Sequence, residues 1–463
     1  MGGGLAPTSE TKTIVVLGAA YGGARAAQIL AAGVPEGWKV ILIDRNSHAN
    51  HVYVMPRYTV LPGHEYKAFI PYDKVFLVDP PKSEHIRLHA QVISIRPHHI
   101  KLSRSFPELG FPTDTITFDY AIYALGSHLP PPLNLWGPSS YKYLESPKSN
   151  ETFDTEVKYT GLKAQACDWF KEKQKVIKDA PTVLVVGGGA LGIQFATDIK
   201  SVYPEKEVTL LHSRSRLLPR FDEGMHDEIS SSCEAMGINL ILGERLDLGS
   251  IEKGEAKTNE AGQKIVRTVT GRKIAADLLL LCTGQAPNTG LLKAMDPTTV
   301  SDSTGLVHVL KTMQIYSPTQ NITGEESSSL VDALDKLSVD AEKALGPMAT
   351  SYPHIFAIGD AADAFGAIPA GHNAYSQGEL ASRNIIRLIK ASESKSDADA
   401  VDEPLEEYAP GLPAIKVSLG LTRAVYQVGP NIGLKTDGVP DLQAALIWPF
   451  FGQKVEKDED MIP

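Results

Sequence analysis

An α/β fold is predicted by three features of this sequence, and a small C-terminal α+β domain is expected beside it. The strongest is the stretch from Thr182 to Ile199, where a buried-strand pattern runs into a glycine turn and then into a helical apolar pattern. A second strand, glycine turn and helix begin at Thr13. The unbroken apolar run Leu278–Leu281 is typical of a parallel strand covered on both faces. Together these features predict two Rossmann-like domains.

The glycines of the central turn have the spacing G-x-G-x-x-G, at Gly187, Gly189 and Gly192. The first allows the tight turn, the second lets the backbone approach a pyrophosphate, and the third lets the helix pack against the strand. Ala190 and Leu191 then lie at the helix N-terminus, whose amides face the anion. The spacing alone is weakly specific, but the flanking strand, the helix and the second copy predict a dinucleotide-binding site.

The earlier copy reads Gly18-Ala19-Ala20-Tyr21-Gly22-Gly23. Ala20 stands where the middle glycine usually lies, so its methyl group is expected to crowd the pyrophosphate slightly. The next strand ends at Asp44, just before Arg45. An acid at that place bonds the ribose hydroxyls of an adenine dinucleotide, and we favour this role for Asp44 over that of a turn or helix-cap residue.

The strand that follows the central fingerprint ends in His212-Ser213-Arg214-Ser215-Arg216, with no acid at the ribose position. An acid there selects against a 2′-phosphate, whereas arginines accept it. The pattern therefore favours a second dinucleotide that is NADPH as readily as NADH, with His212 and Arg214 among its contacts. The alternative is that Arg214 and Arg216 are solvated charges.

Near the C-terminal third, a strand is expected to close on Gly359-Asp360. An aspartate at such a strand end is well placed to bond the ribityl chain of a flavin. His372 and Gln377 follow this turn and are the candidate catalytic residues at the isoalloxazine edge. A histidine there can stabilise charge on the reduced ring or protonate a quinone, and a cap or core histidine is the alternative.

The segment His48–Tyr72 has little periodicity and many aromatic, His and Pro residues. It is expected either to lie along the flavin or to form a packed surface excursion. The run Ala444–Gly452 is expected to be core or a subunit contact, so a homodimer is one interpretation, and a membrane contact is the less favoured one.

Composition excludes several classes of function. The chain of 463 residues has a net charge of -10, so we expect no binding to nucleic acid. The cysteines Cys167, Cys233 and Cys282 form no C-x-x-C pair, which predicts neither a redox disulfide nor a metal site, and Cys282 is expected to be inert.

No apolar run is long enough to span a bilayer, so a cytoplasmic protein is expected, with peripheral membrane attachment as the alternative. The N-terminus begins like a myristoylation site, but Ala6 replaces the expected Ser or Thr.

The predicted domains follow from these positions. A discontinuous FAD-binding domain is expected at 11–130 and 283–395, an NAD(P)H-binding domain at 131–282, and a C-terminal domain at 404–463. The prolines at 130–132 are interpreted as a linker, and 317–350 as an acidic insertion with one exposed helix between Leu330 and Leu345.

These pieces in this order resemble the flavoproteins with two dinucleotide-binding domains. The likeness is greatest to the apoptosis-inducing-factor-like branch that includes the ferroptosis-suppressor type of NAD(P)H:quinone oxidoreductase. It rests on VVGGGALGIQFATDIKSVYPEKEVTLLHS, FDYAIYALGSHLP, LLLLCTGQAPNT, IFAIGDAAD and LEEYAPGLPAIKVSLG, and it covers nearly the whole chain apart from the N-terminal tail and the acidic insertion.

The resemblance implies FAD and either NADH or NADPH as cofactors. With the residues already discussed, it predicts a set of cofactor-binding positions in this chain. They are Gly18, Ala20, Tyr21, Gly22, Gly23, Asp44, Arg45, Arg57, Gly126, Asp360, Gly187, Gly189, Ala190, Leu191, Gly192, Gln194, His212, Arg214 and Gly284.

Three departures from the family pattern matter. Leu125 replaces the Thr of the first Ala-Thr-Gly turn, Ala20 replaces a glycine, and Gln194 stands where relatives usually have a Glu near the nicotinamide. An amide keeps the hydrogen-bonding capacity but drops the charge, so the hydride-transfer rate or the NADH preference can differ from that of the relatives.

The expected function is hydride transfer from NAD(P)H to FAD, followed by electron transfer to a small-molecule acceptor that is quinone-like or otherwise aromatic. One alternative is a flavin oxidoreductase dedicated to a biosynthetic pathway, and another is a reductase that serves a protein partner. A third is an NADH-sensing signalling protein of the apoptosis-inducing-factor type.

Overall fold

The computed structural model describes residues 11–77, 82, 84–129, 160–249, 257–318, 350–393 and 403–462. Three predictions fall outside these ranges. They concern the N-terminal tail, the proline linker at 130–132, and the helix between Leu330 and Leu345.

The strands are numbered in chain order. They are β1 Lys12–Leu17, β2 Trp38–Asp44, β3 His48–Asn50, β4 Phe69–Pro71, β5 Ile86–His89, β6 Val92–Arg96, β7 His99–Leu102, β8 Thr115–Thr117, β9 Tyr120–Tyr123, β10 Ser127–His128, β11 Thr182–Val186, β12 Glu207–His212, β13 Asn239–Leu242, β14 Lys257–Thr258, β15 Lys264–Arg267, β16 Lys273–Ala276, β17 Leu278–Leu281, β18 Ala286–Pro287, β19 Ile355–Ala357, β20 Ala414–Leu419, β21 Arg423–Val428 and β22 Asn431–Lys435.

The α-helices are numbered in the same way. They are α1 Tyr21–Gly33, α2 Met55–Tyr58, α3 Lys163–Asp179, α4 Ala190–Val202, α5 Glu223–Ala235, α6 Gly290–Met295 and α7 Gly371–Glu393. Short 3₁₀ helices occur at Glu65–Ala68, Pro107–Leu109, Pro297–Thr299, Gly359–Ala361, Ala444–Phe451 and Asp458–Met461.

The contacts divide the chain into two compact units. The first takes its described residues from Met1–Arg45, Tyr72–Ser127 and Pro287–Gly411, and the second from Asn46–Pro71, His128–Ala286 and Leu412–Pro463. This division groups the segment after β2 and the C-terminal residues with the second fingerprint. The domain boundaries drawn from the sequence remain a prediction.

The first unit is built on a parallel five-stranded sheet in the order β19-β9-β1-β2-β5. Helices α1 and α7 pack against each other in this unit. Because the strands are parallel, the turns that follow β1, β2, β9 and β19 all leave the same edge of the sheet. That edge therefore carries Gly18, Asp44, Gly126 and Asp360.

The second unit repeats the arrangement with a parallel four-stranded sheet in the order β13-β12-β11-β17. The carboxyl ends of β11, β12 and β17 lead into Gly187, His212 and Cys282. Two antiparallel sheets, β14-β15-β16 and β20-β21-β22, belong to the same unit. The predicted α/β fold with two Rossmann-like sheets is confirmed.

The segment 46–71 is part of the hydrophobic core of the second unit. Val54, Met55, Tyr58 and Phe69 are buried, in one cluster with residues of α3, α4 and β11. Its apolar side chains therefore fill the core, and its position along the flavin stays a prediction. No helix in the described ranges is long and apolar enough to cross a bilayer.

The C-terminal apolar run forms the 3₁₀ helix Ala444–Phe451, which is apolar on both faces. Trp448 and Phe451 are buried, whereas Leu446 and Phe450 are exposed. The buried side chains agree with a core role. The exposed ones leave the subunit contact and the membrane contact open as proposals.

Candidate functional site

The first fingerprint turn depends on glycine for close backbone packing. A Cβ at Gly18 would overlap the carbonyl oxygen of Ala124, and one at Gly23 would overlap that of Gly18. A Cβ at Gly22 would lie 2.6 Å from the carbonyl oxygen of Ala374 in α7. These glycines are required by contacts inside the first unit, whatever ligand the turn binds.

Helix α1 begins directly after this turn with no side chain capping its N-terminus. Ala20 is the capping residue and is exposed, and Tyr21 is the first helical residue. The amides of the first turn are therefore not occupied by a capping side chain, as an anion-binding helix requires.

Asp44 lies at the end of β2 and contacts the same turn. Its Oδ2 accepts a hydrogen bond from the backbone N–H of Ala19, 2.8 Å away. The carbonyl of Arg45, the next residue, contacts Nε2 of His89 at 2.9 Å. Asp44 thus supports the turn, and its predicted ribose contact remains a proposal.

Asp360 is half-buried at the carboxyl edge of the first sheet and accepts a hydrogen bond from Ser127. The hydroxyl of Ser127 donates to Oδ2 of Asp360 over 2.8 Å. Burial raises the pKa of Asp360, and the hydrogen bond from Ser127 opposes that shift. The sequence reasoning missed Ser127, although the hydroxyl directly after Gly126 was a usable signal.

Asn288 is a second residue that the sequence reasoning missed. Its Nδ2 donates to the carbonyl of Leu125 over 2.8 Å, and its backbone N–H donates to the carbonyl of Gly126 over 2.8 Å. The hydroxyl of Tyr123 donates to the carbonyl of Asn288 over 2.5 Å. Asn288 therefore holds the turn after β9, where the family's Thr is replaced by Leu125.

The candidate catalytic residues differ in exposure. Helix α7 starts at Gly371, so His372 lies in its first turn and is exposed. Gln377 is buried, and its Oε1 accepts from the backbone N–H of Gly359 over 2.7 Å. Gln377 thus fixes the turn before Asp360. The catalytic roles of both residues remain proposals.

The second fingerprint turn has two tightly packed glycines and one open glycine. A Cβ at Gly187 would overlap the carbonyl oxygen of Cys282, and one at Gly192 would overlap that of Gly187. A Cβ at Gly189 would have no protein atom within 4 Å. The space beside Gly189 agrees with its predicted function, because protein packing does not require a glycine there.

Gly284 also has free space beside it, because a Cβ placed there would have no protein atom within 4 Å. Its φ of +131° nevertheless favours glycine at this position.

Ala190 and Leu191 are the first residues of α4 and are half-buried, and Gly189 caps this helix without a side-chain hydrogen bond. The N-terminal amides of α4 are therefore as accessible to an anion as those of α1.

His212 packs directly on the fingerprint turn. Its Nδ1 accepts from the backbone N–H of Gly188 over 3.0 Å, and a Cβ at Gly188 would lie 2.6 Å from the ring. Burial and the charge of Arg214 lower the pKa of His212. The ring is therefore neutral near pH 7, and the proton must be on Nε2 because Nδ1 is an acceptor.

The two arginines after His212 have different surroundings. Arg214 is exposed, whereas Arg216 is half-buried and lies 3.8 Å from a carboxylate oxygen of Glu223. Arg214 is therefore the better candidate for a 2′-phosphate contact, because its side chain is open to solvent.

Arg57 was predicted to hold FAD, but its guanidinium is used inside the second unit. Its side chain is 0% exposed, and Nε lies 2.8 Å from Oδ2 of Asp198, which is also 0% exposed. Its remaining nitrogens donate to the carbonyls of Gly420, Leu421 and Pro440. These contacts give Arg57 a structural role inside the second unit, and its predicted FAD contact stays a prediction.

The remaining candidate groups are the three cysteines and the side chains that could ligate a metal. Cys167, Cys233 and Cys282 are free and buried. Burial raises the pKa of Cys167 to about 11 and that of Cys233 to about 12. Within the ranges that the structure covers, no group of three or more His, Cys, Asp or Glu side chains could hold a metal ion.

Comparisons with known proteins agree with this geometry. Residues 12–322 match the family profile described as pyridine nucleotide-disulphide oxidoreductase. The chain is 38% identical to Fe-regulated protein 8 of Mycosarcoma maydis over 95% of both chains. It is 25% identical to human ferroptosis suppressor protein 1 over 92% of this chain and 91% of the relative.

The solved structures support the fold. A water-forming NADH oxidase from Lactobacillus brevis superposes with a TM-score of 0.58 at 18% identity, over 90% of this chain and 74% of the oxidase. At this identity the likeness concerns the fold alone.

Proposed function

The chain belongs to the pyridine nucleotide-disulphide oxidoreductase family, and we propose that it passes electrons from NAD(P)H to a quinone-like or other small aromatic acceptor. It is an FAD-dependent NAD(P)H oxidoreductase with relatives among the ferroptosis suppressor proteins and apoptosis-inducing factor homologs. Bound FAD supplies the redox chemistry, which is acceptance of a hydride from NAD(P)H and return of electrons to an acceptor.

The residues present fit both cofactors. In the first unit, the uncapped start of α1 would bind the pyrophosphate of FAD, and the half-buried Asp360 would bind its ribityl chain. In the second unit, the open space at Gly189 and the uncapped start of α4 would bind the pyrophosphate of NAD(P)H. The side chain of Gln377 would position the turn before Asp360, and His372 is the candidate proton donor to the reduced acceptor.

The state of the three cysteines is the observation that carries the acceptor proposal. A disulphide reductase needs a pair of thiols that can form and break a disulfide. Here the cysteines are free, buried and far apart in the sequence. Electrons from the reduced flavin would therefore pass to an external acceptor. The resemblance to the quinone-reducing branch favours a quinone as that acceptor.

The first test is a visible spectrum of the purified protein, followed by anaerobic mixing with NADH and separately with NADPH. Rapid bleaching of a flavin band is the expected result. A colourless protein, or a flavin that neither nucleotide reduces, would contradict the proposal.

Steady-state turnover with a panel of quinones then tests the acceptor. We expect several quinones to be reduced. Turnover with none of them would favour a pathway-specific oxidoreductase. Slow turnover together with an NADH-dependent change in oligomeric state would favour the signalling alternative.

Peripheral membrane contact and a homodimer are tested separately. Leu446 and Phe450 are the exposed apolar side chains of the 3₁₀ helix Ala444–Phe451 that such contacts would cover. Co-sedimentation with phosphatidylcholine vesicles tests the membrane contact, and light scattering tests the homodimer. Each is measured for the wild type and for Phe450→Ser.

A further inference from the structure

A tight turn a few residues after Asp360 has an unusual residue at its centre. The turn is closed by a hydrogen bond from the backbone N–H of Ala367 to the carbonyl of Ala364, 3.0 Å away. Its two central residues have positive φ, +55° at Phe365 and +78° at Gly366. These values define a type I′ turn, which favours Asn, Asp or Gly at the position that Phe365 occupies. The turn itself therefore does not require a phenylalanine.

Core packing does not account for this residue either. The side chain of Phe365 is 39% exposed. Leu218 and Met313 also have positive φ, but their side chains are 5% and 0% exposed, so burial offsets the unfavourable backbone conformation. Among the described residues, no aromatic ring or cation stacks on Phe365. The ring is thus carried by a strained backbone and is free to meet another molecule.

The backbone is held on both sides of the turn. The backbone N–H of Asp363 donates to the carbonyl of Val307 over 2.9 Å, and that of Val307 donates to Ala361 over 2.8 Å. On the other side, Nδ2 of Asn373 donates to the carbonyl of Ile368 over 2.9 Å. A residue keeps an unfavourable conformation only where its surroundings enforce it, and such residues cluster at ligand sites. These bonds therefore fix the place of the turn that carries the aromatic ring.

The turn lies between two residues of the candidate flavin site. Asp360, at the carboxyl edge of the first sheet, precedes Phe365 by five residues, and His372, in the first turn of α7, follows it by seven. In the proposed function, Asp360 bonds the ribityl chain and His372 protonates the reduced acceptor. The segment that carries the ring therefore leads from the ribityl contact to the place expected for the acceptor.

We propose that the Phe365 ring is the platform on which a flat aromatic acceptor stacks. This inference rests on the proposed function, because it assumes that the acceptor approaches the flavin at the carboxyl edge of the first sheet. An aromatic pair in an offset or edge-to-face arrangement gains more than its buried area alone provides. Phe365 would then favour aromatic acceptors, and an acceptor without a ring would gain nothing from it.

Equilibrium binding tests this contact without turnover. Menadione, a naphthoquinone, is titrated by calorimetry into the oxidised, FAD-loaded protein in the absence of NAD(P)H. We expect Phe365→Leu and Phe365→Asn to raise the dissociation constant about fivefold, the range of one aromatic pair, and Phe365→Tyr to keep it within about twofold. Leu109→Asn, which removes another exposed apolar side chain of the same unit, is the matched control and should bind as the wild type does.

Steady-state kinetics test the selectivity. Phe365→Asn should raise the KM for menadione and leave kcat/KM unchanged for ferricyanide, which has no aromatic ring. A loss of equal size with both acceptors would show general damage to the flavin site and would overturn the platform.

Thermal unfolding of the FAD-loaded protein tests whether the ring is needed for packing. Phe365→Asn should unfold at the wild-type temperature or above it, because asparagine suits the left-handed conformation that phenylalanine disfavours. Unfolding at a lower temperature would assign the ring a packing role and would also overturn the platform.

The remaining outcomes separate this inference from the proposed function. A Phe365→Asn variant that binds menadione as tightly as the wild type would overturn the platform and leave the proposed function intact. A wild-type flavin that neither NADH nor NADPH reduces would overturn the proposed function, and the inference with it. A wild type that reduces ferricyanide but does not bind menadione would overturn both the quinone acceptor and the platform.

Discussion

Ser127 donates a hydrogen bond to Asp360 across 2.8 Å, joining the turn after β9 to the turn after β19. Asp360 is half-buried, and this burial raises its pKa, whereas the hydrogen bond from Ser127 lowers it. Ser127 therefore helps to keep the carboxylate ionised in the position predicted to bond the ribityl chain of FAD.

Replacing Ser127 with Ala should weaken FAD binding, most strongly at acidic pH. Without the hydroxyl, the pKa of Asp360 rises further, so the carboxylate is lost at a higher pH than in the wild type. We expect about a fivefold to tenfold loss of affinity near pH 6, the range of one hydrogen bond to a charged group. The FAD that each protein retains is measured by flavin fluorescence after dialysis between pH 5 and pH 8. Ser127→Thr is the control, and equal FAD retention by all three proteins would contradict the prediction.

Single replacements in the Arg57–Asp198 pair should destabilise the second unit more than the double replacement does. Removing one partner leaves a buried, uncompensated charge, at a cost of about 3–5 kcal/mol, whereas an apolar pair of similar volume avoids that cost. The difference in the free energy of unfolding is measured by urea unfolding, monitored by tryptophan fluorescence, of Arg57→Met, Asp198→Leu and the double variant. Trp169 and Trp448 belong to the same unit and report on it.

The same double variant tests the predicted FAD contact of Arg57. The buried hydrogen bonds of its guanidinium lead us to expect that FAD is retained. Loss of FAD from a folded double variant would instead support the predicted contact between Arg57 and FAD.

Replacing Arg214 with Ala should raise the KM for NADPH about tenfold and leave that for NADH unchanged. The exposed guanidinium would bind the 2′-phosphate, and a charged hydrogen bond contributes roughly 1.5–3 kcal/mol. Arg423→Ala, an exposed arginine of β21 in the same unit, is the matched control. Equal effects on both nucleotides, or none, would favour the alternative of a solvated charge.

The native protein should resist alkylation by iodoacetamide at pH 8. Burial raises the pKa of Cys167, Cys233 and Cys282, so each stays in the unreactive thiol form well above that pH. Mass spectrometry should show no rapid labelling of the native chain and three labelled cysteines after denaturation. A thiol that reacts within minutes in the native protein would show that a reactive cysteine exists.

The sequence predicted the local parts of the site well because each is a short contiguous pattern. The strand, glycine turn and helix at Thr13 and at Thr182 can be identified within about twenty residues, since alternation, glycine spacing and helical periodicity act over that distance. The parallel-sheet fold follows from those patterns, and the family resemblance that they carry implies the two cofactors. The roles of the individual site residues stay predictions.

Packing against distant residues could not be predicted in this way. The segment 46–71 has no periodicity that indicates burial, yet its apolar side chains complete the core of the second unit. The family resemblance predicts an FAD contact for Arg57, and that contact stays a prediction. The partners of Arg57 within the protein, which the sequence did not indicate, are backbone carbonyls near residue 420 and at Pro440.

The fold class, the two fingerprint turns and the absence of a C-x-x-C pair could be predicted because those properties lie in residue type and local spacing. In contrast, the hydrogen bond between Ser127 and Asp360, which are 233 residues apart, and the ion pair between Asp198 and Arg57 depend on the folded chain. A hydrogen bond or an ion pair needs two groups within about 3 Å of each other, and local spacing does not bring such distant groups together. The partner of a buried polar side chain is therefore set by how the sheets and helices pack.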